Sequence, residues 1–189
     1  MKSLTESSQT ISALKKQAEL IEKIGELLIL TYQKSGKILV FGNGGSAADS
    51  QHFADELVGR FSKNRKPLPA LALTTNTSDL TSIANDFGYE LVFSRQLEAH
   101  AKPGDLVFAI STSGNSPNVV RALETAKSLG LKTVGLTGKT GGKVRGLVDH
   151  CLCVPSTNTA HIQEAHITVL QTLCGLVEEA LFPSAPKAH

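Results

Sequence analysis

This chain has little that would commit it to a polyanion, a membrane or an oxidising compartment. Its 189 residues carry 19 Lys and Arg against 17 Asp and Glu. The resulting net charge of +2 is too small to argue for nucleic acid, and no run of lysine or arginine concentrates it. The uncharged stretch 165–177 is too short and too polar to span a bilayer. Residues 1–10 lack the charged-then-apolar pattern of a signal peptide, so a cytoplasmic protein is expected. The sequon Asn76-Thr77-Ser78 carries no weight without such a signal. There are only three cysteines, Cys151, Cys153 and Cys174, an odd number in apolar surroundings; they read as free thiols rather than as a disulfide framework. No repeat, coiled coil or low-complexity segment interrupts the chain before a short tail at 183–189. With 41% hydrophobic and 19% charged residues, the composition is that of a globular protein. A single domain over 1–189 is expected, with an N-terminal helix up to residue 36 and a core over 37–182.

The core alternates short apolar runs with helical periodicity. Residues 8–34 predict one long helix, in which Ile11, Leu14, Ala18, Ile21, Ile24 and Leu28 recur at three- and four-residue spacing between charged residues. Its apolar stripe suits a partner subunit as well as its own sheet. Strands are expected at 37–41, 70–74, 106–110, 132–136 and 151–154. Helices are expected between them: from Ala47, over 77–84 with an exit at Asn85-Asp86-Phe87-Gly88, over 89–101, from Pro117 to Leu129, and over 161–181. This alternation predicts a three-layer αβα fold with a five-stranded parallel sheet in the order 2-1-3-4-5.

Two loops hold the chemistry. Lys37-Ile38-Leu39-Val40-Phe41 ends in Gly42-Asn43-Gly44-Gly45, and Ser46 stands where a helix N-cap belongs. A strand, a glycine-rich turn and a helix start make an anion site, because free N–H groups and the helix dipole point the same way. The other loop, Ser111-Thr112-Ser113-Gly114-Asn115-Ser116, offers four hydroxyls between a strand end and a helix opened by Pro117 behind a Ser116 cap. In the order 2-1-3-4-5 the strand order reverses between strands one and three, which carry these two loops. A serine-rich turn that merely caps a helix is the plain alternative. The pattern G-x-G-x-x-A at 42–47 also raises a dinucleotide site, but Thr74-Thr75-Asn76 offers no acid for a ribose. His52 and Glu56, four residues apart, share a face of the helix behind the glycine turn.

The segments GNGGSAADSQHFADEL, IANDFGYE, ISTSGNSPNV, LTGKTGGK and IQEAH, in this order, resemble the sugar isomerase (SIS) family, and more closely the phosphoheptose isomerases. The resemblance implies a flavodoxin-like SIS fold, a homotetramer with sites at subunit contacts, and a zinc ion that the site can hold. It implies that Asn43, Gly44, Gly45 and Ser46 surround the substrate and that Asn85 and Asp86 bind its hydroxyls. Ser111, Thr112, Ser113 and Ser116 would hold its phosphate. His52, Glu56 and Gln163 would be metal ligands, with Glu56 and Gln163 also touching substrate and Glu56 moving the proton. At the remaining catalytic and metal position the family pattern has a histidine, eight residues after Gln163; here it is Gln171. A glutamine neither exchanges a proton near neutrality nor matches imidazole as a zinc ligand. Should zinc bind tightly, His166 or His161 is first in line to complete the set.

The expected activity is interconversion of sedoheptulose 7-phosphate and D-glycero-D-manno-heptose 7-phosphate through an enediol, in bacterial heptose synthesis. The alternative is a non-catalytic SIS protein, either a replication-initiator partner or a sugar-phosphate sensor. The initiator-binding relative lacks both the histidine and the carboxylate; this chain keeps Glu56.

Overall fold

The computed structural model describes residues 1–183, so the expected tail lies outside it except for Pro183. Five parallel strands stand in the order β2-β1-β3-β4-β5: β1 (Ile38–Gly42), β2 (Ala70–Ala72), β3 (Leu106–Ser111), β4 (Lys132–Gly138) and β5 (His150–Val154). Seven α-helices are described: α1 (Lys2–Ala13), α2 (Ala18–Gln33), α3 (Gly45–Val58), α4 (Thr77–Phe87), α5 (Ser94–His100), α6 (Pro117–Ser128) and α7 (Thr159–Leu181).

The central strands are apolar at consecutive positions because both faces of the sheet are covered. Ile38 and Val40 turn to one face and pack with Leu28, Phe53, Val169 and Leu173 of α2, α3 and α7. Leu39 and Phe41 turn to the other and meet Val92, Phe93, Val119 and Leu123 around α5 and α6. Phe41 stacks on Phe93 with ring centroids 5.0 Å apart, and Phe53 meets Phe108 at 5.2 Å. Sealing each such side chain contributes about 1.5–3 kcal/mol. Pairing of Gly42 with Ile110 ends β1 and β3 at one level, so their loops emerge side by side.

Local structure departs from expectation in four places. The N-terminal helix starts earlier and is broken by a 3-10 turn at Leu14–Gln17, where Gln17 Nε2 donates to the Cys153 carbonyl at 3.0 Å and Leu14 reaches the core. Ser46 is not the cap of α3. Gly44, at φ 56°, holds that position, and Ser46 is buried in the first turn. The helix expected over 89–101 is a 3-10 turn, Tyr89–Leu91, followed by α5. Finally, α4 includes Asn85 and Asp86. It opens on Asn76, whose Oδ1 accepts from Ser78 N at 3.1 Å and Asp79 N at 3.2 Å, and it ends only at Gly88.

Candidate active site

The two loops meet through a pair of amides. Asn43 Nδ2 donates to Asn118 Oδ1 at 2.8 Å, and Asn118 Nδ2 returns a bond to Asn43 Oδ1 at 2.9 Å. The exposed Tyr89 hydroxyl also donates to Asn43 Oδ1, at 3.1 Å. Asn43 thereby ties the glycine turn to the start of α6. Asn118 and Tyr89 were missed as site residues, although both lie within the segments that carry the family resemblance. Gly44 and Gly45 donate to no acceptor among the described residues, and both N–H groups stand at the positive end of α3.

The serine loop is braced from behind. Ser111 Oγ and Ser116 Oγ are 3.1 Å apart, so Ser116 turns to Ser111 instead of capping α6 through its side chain. Ser113 Oγ accepts the Asn115 N–H at 3.1 Å and keeps its own proton to donate. The turn after β4 supports this loop: Gly138 N donates to Thr112 O at 3.1 Å and Lys143 N to Asn115 Oδ1 at 3.1 Å. At Gly114, φ 65°, a Cβ would lie 2.0 Å from the Gly141 carbonyl oxygen, so only glycine fits.

Behind the loops, α3 and α7 run in the same direction along one face of the sheet, since each follows a parallel strand. Gln163 lies against the start of α3, where a Cβ on Gly45 would meet its Nε2 at 2.2 Å. His52 Nε2 and Glu56 Oε1 are 3.0 Å apart, with His52 half-exposed and Glu56 more sheltered. A rise of about 1.5 Å per residue puts His52 about 10 Å and Glu56 about 16 Å along the axis from Gly45. Gln171, partly buried and eight residues past Gln163, falls level with that pair. Asp49 stands one turn before His52. Its Oδ2 is buried without a hydrogen-bond partner, and burial pushes its carboxyl up to about 6 against the opposing pull of His52.

The other named residues have partners of their own within this chain. Asn85 Nδ2 donates to Asp86 Oδ1 at 2.8 Å, and both sit exposed at the end of α4 with no hydrogen bond to either loop. His166 is sealed in the core, donates to the Thr137 carbonyl at 3.1 Å, and is pushed by burial down to about 4. His161 faces α1, with Nε2 3.6 Å from Glu6 Oε2 and Nδ1 3.0 Å from Glu164 Oε2. Neither imidazole can stand in for the family histidine.

The donors named for zinc do not fit it. His52 and Glu56 are hydrogen-bonded to each other, Gln163 sits at the loop end of α3 away from them, and Gln163 and Gln171 offer only amide oxygens. Among the described residues no three His, Cys, Asp or Glu side chains come together. Zinc sites use three or four such ligands.

The SIS domain family matches residues 4–138. A probable phosphoheptose isomerase of Thermoplasma volcanium is 57% identical over 158 residues, covering 84% of this chain and 81% of that protein. A phosphoheptose isomerase of Roseiflexus is 55% identical over 166 residues, 88% of this chain and 84% of its relative. The chain belongs to the phosphoheptose isomerase family. Among solved structures, phosphoheptose isomerase GmhA from Neisseria gonorrhoeae superposes with a TM-score of 0.90 at 41% identity, covering 94% of this chain and 96% of that one. Membership places the loops and the His52–Glu56 face within a family of sugar-phosphate enzymes.

Proposed function

We propose that this chain interconverts sedoheptulose 7-phosphate and D-glycero-D-manno-heptose 7-phosphate. The observation that carries this reading is Glu56, kept on the helix that opens behind the glycine turn and hydrogen-bonded to His52 at 3.0 Å. The Gly44 and Gly45 N–H groups and the hydroxyls of Ser111, Thr112, Ser113 and Ser116 bind the phosphate. The sugar then extends its carbonyl end along α3. Glu56 takes a proton from the carbon beside the carbonyl and returns it to the adjacent carbon, with the enediol between. Its pairing with His52 orients the carboxylate, and a protonated His52 would also hold charge beside the developing oxyanion. Anchoring at the remote phosphate fixes the reacting carbons near that carboxylate. No step runs through a metal.

The site is completed in a homotetramer. Asn85, Asp86, Phe87 and Tyr89 lie exposed around the end of α4, where the Tyr89 hydroxyl reaches Asn43, and Leu30 of α2 is 48% exposed on a helix with an apolar stripe. Both suit a second copy of the chain. The reading also places the protein in the cytoplasm; no helix among the described residues is long and apolar enough to cross a membrane. Incubation of purified protein with sedoheptulose 7-phosphate, followed by NMR, is expected to show the aldose, and its absence at high enzyme concentration would sink the assignment. Gln171 supplies another test. Gln171→His is expected to tighten zinc binding measured by calorimetry, and unchanged calorimetry would remove Gln171 from the His52–Glu56 level.

A further inference from the structure

Cys151 and Cys153 stand two residues apart on β5, so both side chains leave the same face of an edge strand. Their Sγ atoms are 3.7 Å apart, and both thiols are partly exposed, whereas Cys174 is buried. Thr137 Oγ1 lies between them, 3.3 Å from Cys153 Sγ and 3.6 Å from Cys151 Sγ. A disulfide does not suit this geometry. Two residues of strand span about 6.6 Å with parallel Cβ directions, and a disulfide needs its Cβ atoms within about 3.5–4.5 Å. A single bridging atom does suit it, because it needs only that the two sulfurs stand near contact distance, as these do at 3.7 Å.

The surroundings choose the kind of atom. Burial pushes the Cys151 thiol up to about 12, and the Arg145 guanidinium lies close enough to act on it. A metal cation would have to displace thiol protons and sit beside that positive charge. A trivalent arsenical is uncharged and condenses with thiols. We propose that Cys151 and Cys153 form a dithiol site for an organic trivalent arsenical. Two As–S bonds form and two As–O bonds of the arsonous acid break. The thiol protons leave with the hydroxyls as two waters, and nothing is oxidised or reduced.

The site touches the serine loop at one remove. A Cβ on Gly141 would lie 3.0 Å from Cys153 Sγ, and the Gly141 carbonyl presses on Gly114. A group held by the sulfurs on that side would crowd the turn that braces Ser113 and Gly114. This second step rests on the isomerase reading; the binding step does not.

The test uses the full-length protein, phenylarsine oxide and excess 2-mercaptoethanol, with intact mass measured after desalting. One phenylarsenic group per chain is expected, released by 2,3-dimercaptopropanol. Cys151→Ser or Cys153→Ser should abolish it, and peptide mapping of the wild-type adduct should place it on residues 151–153. No retained adduct, an adduct that survives Cys151→Ser, or one mapped to Cys174 overturns the proposal. Stoichiometric zinc that blocks the arsenical also overturns it, in favour of a metal site. In the isomerase assay the adduct is expected to raise KM for the sugar phosphate several-fold; an adduct that leaves KM unchanged overturns the coupling to the serine loop.

Discussion

Two carboxylates on the seam between α3 and α7 have opposite fates. At the loop end, Asp49 has a buried oxygen with no partner, and burial raises its carboxyl to about 6. At the far end, Glu178 is buried more completely than the half-buried Asp49, and it is saturated. It accepts from Phe61 N, Ser62 N, Lys63 N, Ser62 Oγ and Arg65 Nε, all within 3.0 Å. Desolvation alone would raise Glu178; the three backbone N–H groups outweigh it and bring the carboxyl down to about 2. Arg65 in turn donates to the carbonyls of Glu56 and Leu57 at 2.7 Å, closing the last turn of α3. One end of the seam is a finished clamp, and the other leaves polar groups unsatisfied where substrate is proposed to bind. Unsatisfied groups cost stability and are tolerated where they serve chemistry.

The largest way to break this contrast is at the clamp. Glu178→Ala strands the buried Arg65 guanidinium and three N–H groups, and is expected to lower the unfolding free energy by about 3–5 kcal/mol. That corresponds to a melting temperature lower by on the order of 10 °C. A shift within about 2 °C would show that water can replace the carboxylate. In the wild type, Glu178 has a folded pKa below its ordinary value, so its contribution is complete above about pH 4.5 and is lost as pH falls towards 2.

Next in size is the catalytic face. Glu56→Gln is expected to lower kcat by about 10²-fold or more, with the melting temperature near wild type because the Glu56 carbonyl still receives Arg65. Solvent-hydrogen exchange into the substrate should stop as well; near-full turnover would hand the proton to another group. A smaller effect is expected at the serine loop. Ser113→Ala removes one donor to the phosphate and should raise KM by a factor corresponding to about 1 kcal/mol or more, with kcat less affected. An unchanged KM would take Ser113 out of the site.

The smallest expected effect sharpens the contrast at Asp49. Its folded pKa lies above its ordinary value, so its contribution to stability is fullest below about pH 4 and falls as pH rises through about 6. Asp49→Asn should therefore stabilise slightly above pH 6 and not below pH 4, as read from melting temperatures across pH. A loss of stability above pH 6 would mean that the charged form has a partner.

Much of the site was legible because its signals are local. Glycines at 42, 44 and 45 end a strand, hydroxyls crowd 111–116 behind a proline helix start, and His52 and Glu56 share a face by spacing alone. The bond between His52 and Glu56 at 3.0 Å follows from that spacing. What spacing could not show was the tie between the loops: Asn43 pairs its amide with that of Asn118, 75 residues away. Ser46 looked like a cap but lies inside the first turn of α3, and Ser116 holds the cap position of α6 while turning its hydroxyl to Ser111.

The sequence by itself determined the layers, the strand order and the two loops that meet, because apolar periodicity and turn chemistry act over a few residues. Tertiary structure decided which polar groups find partners. Glu178 meets Arg65 across 113 positions of chain, and the break at Leu14–Gln17 answers to the Cys153 carbonyl. Desolvation and long-range hydrogen bonding depend on what the fold brings alongside a group. For that reason Asp49 and Glu178, indistinguishable as carboxylates in the chain, end with opposite character.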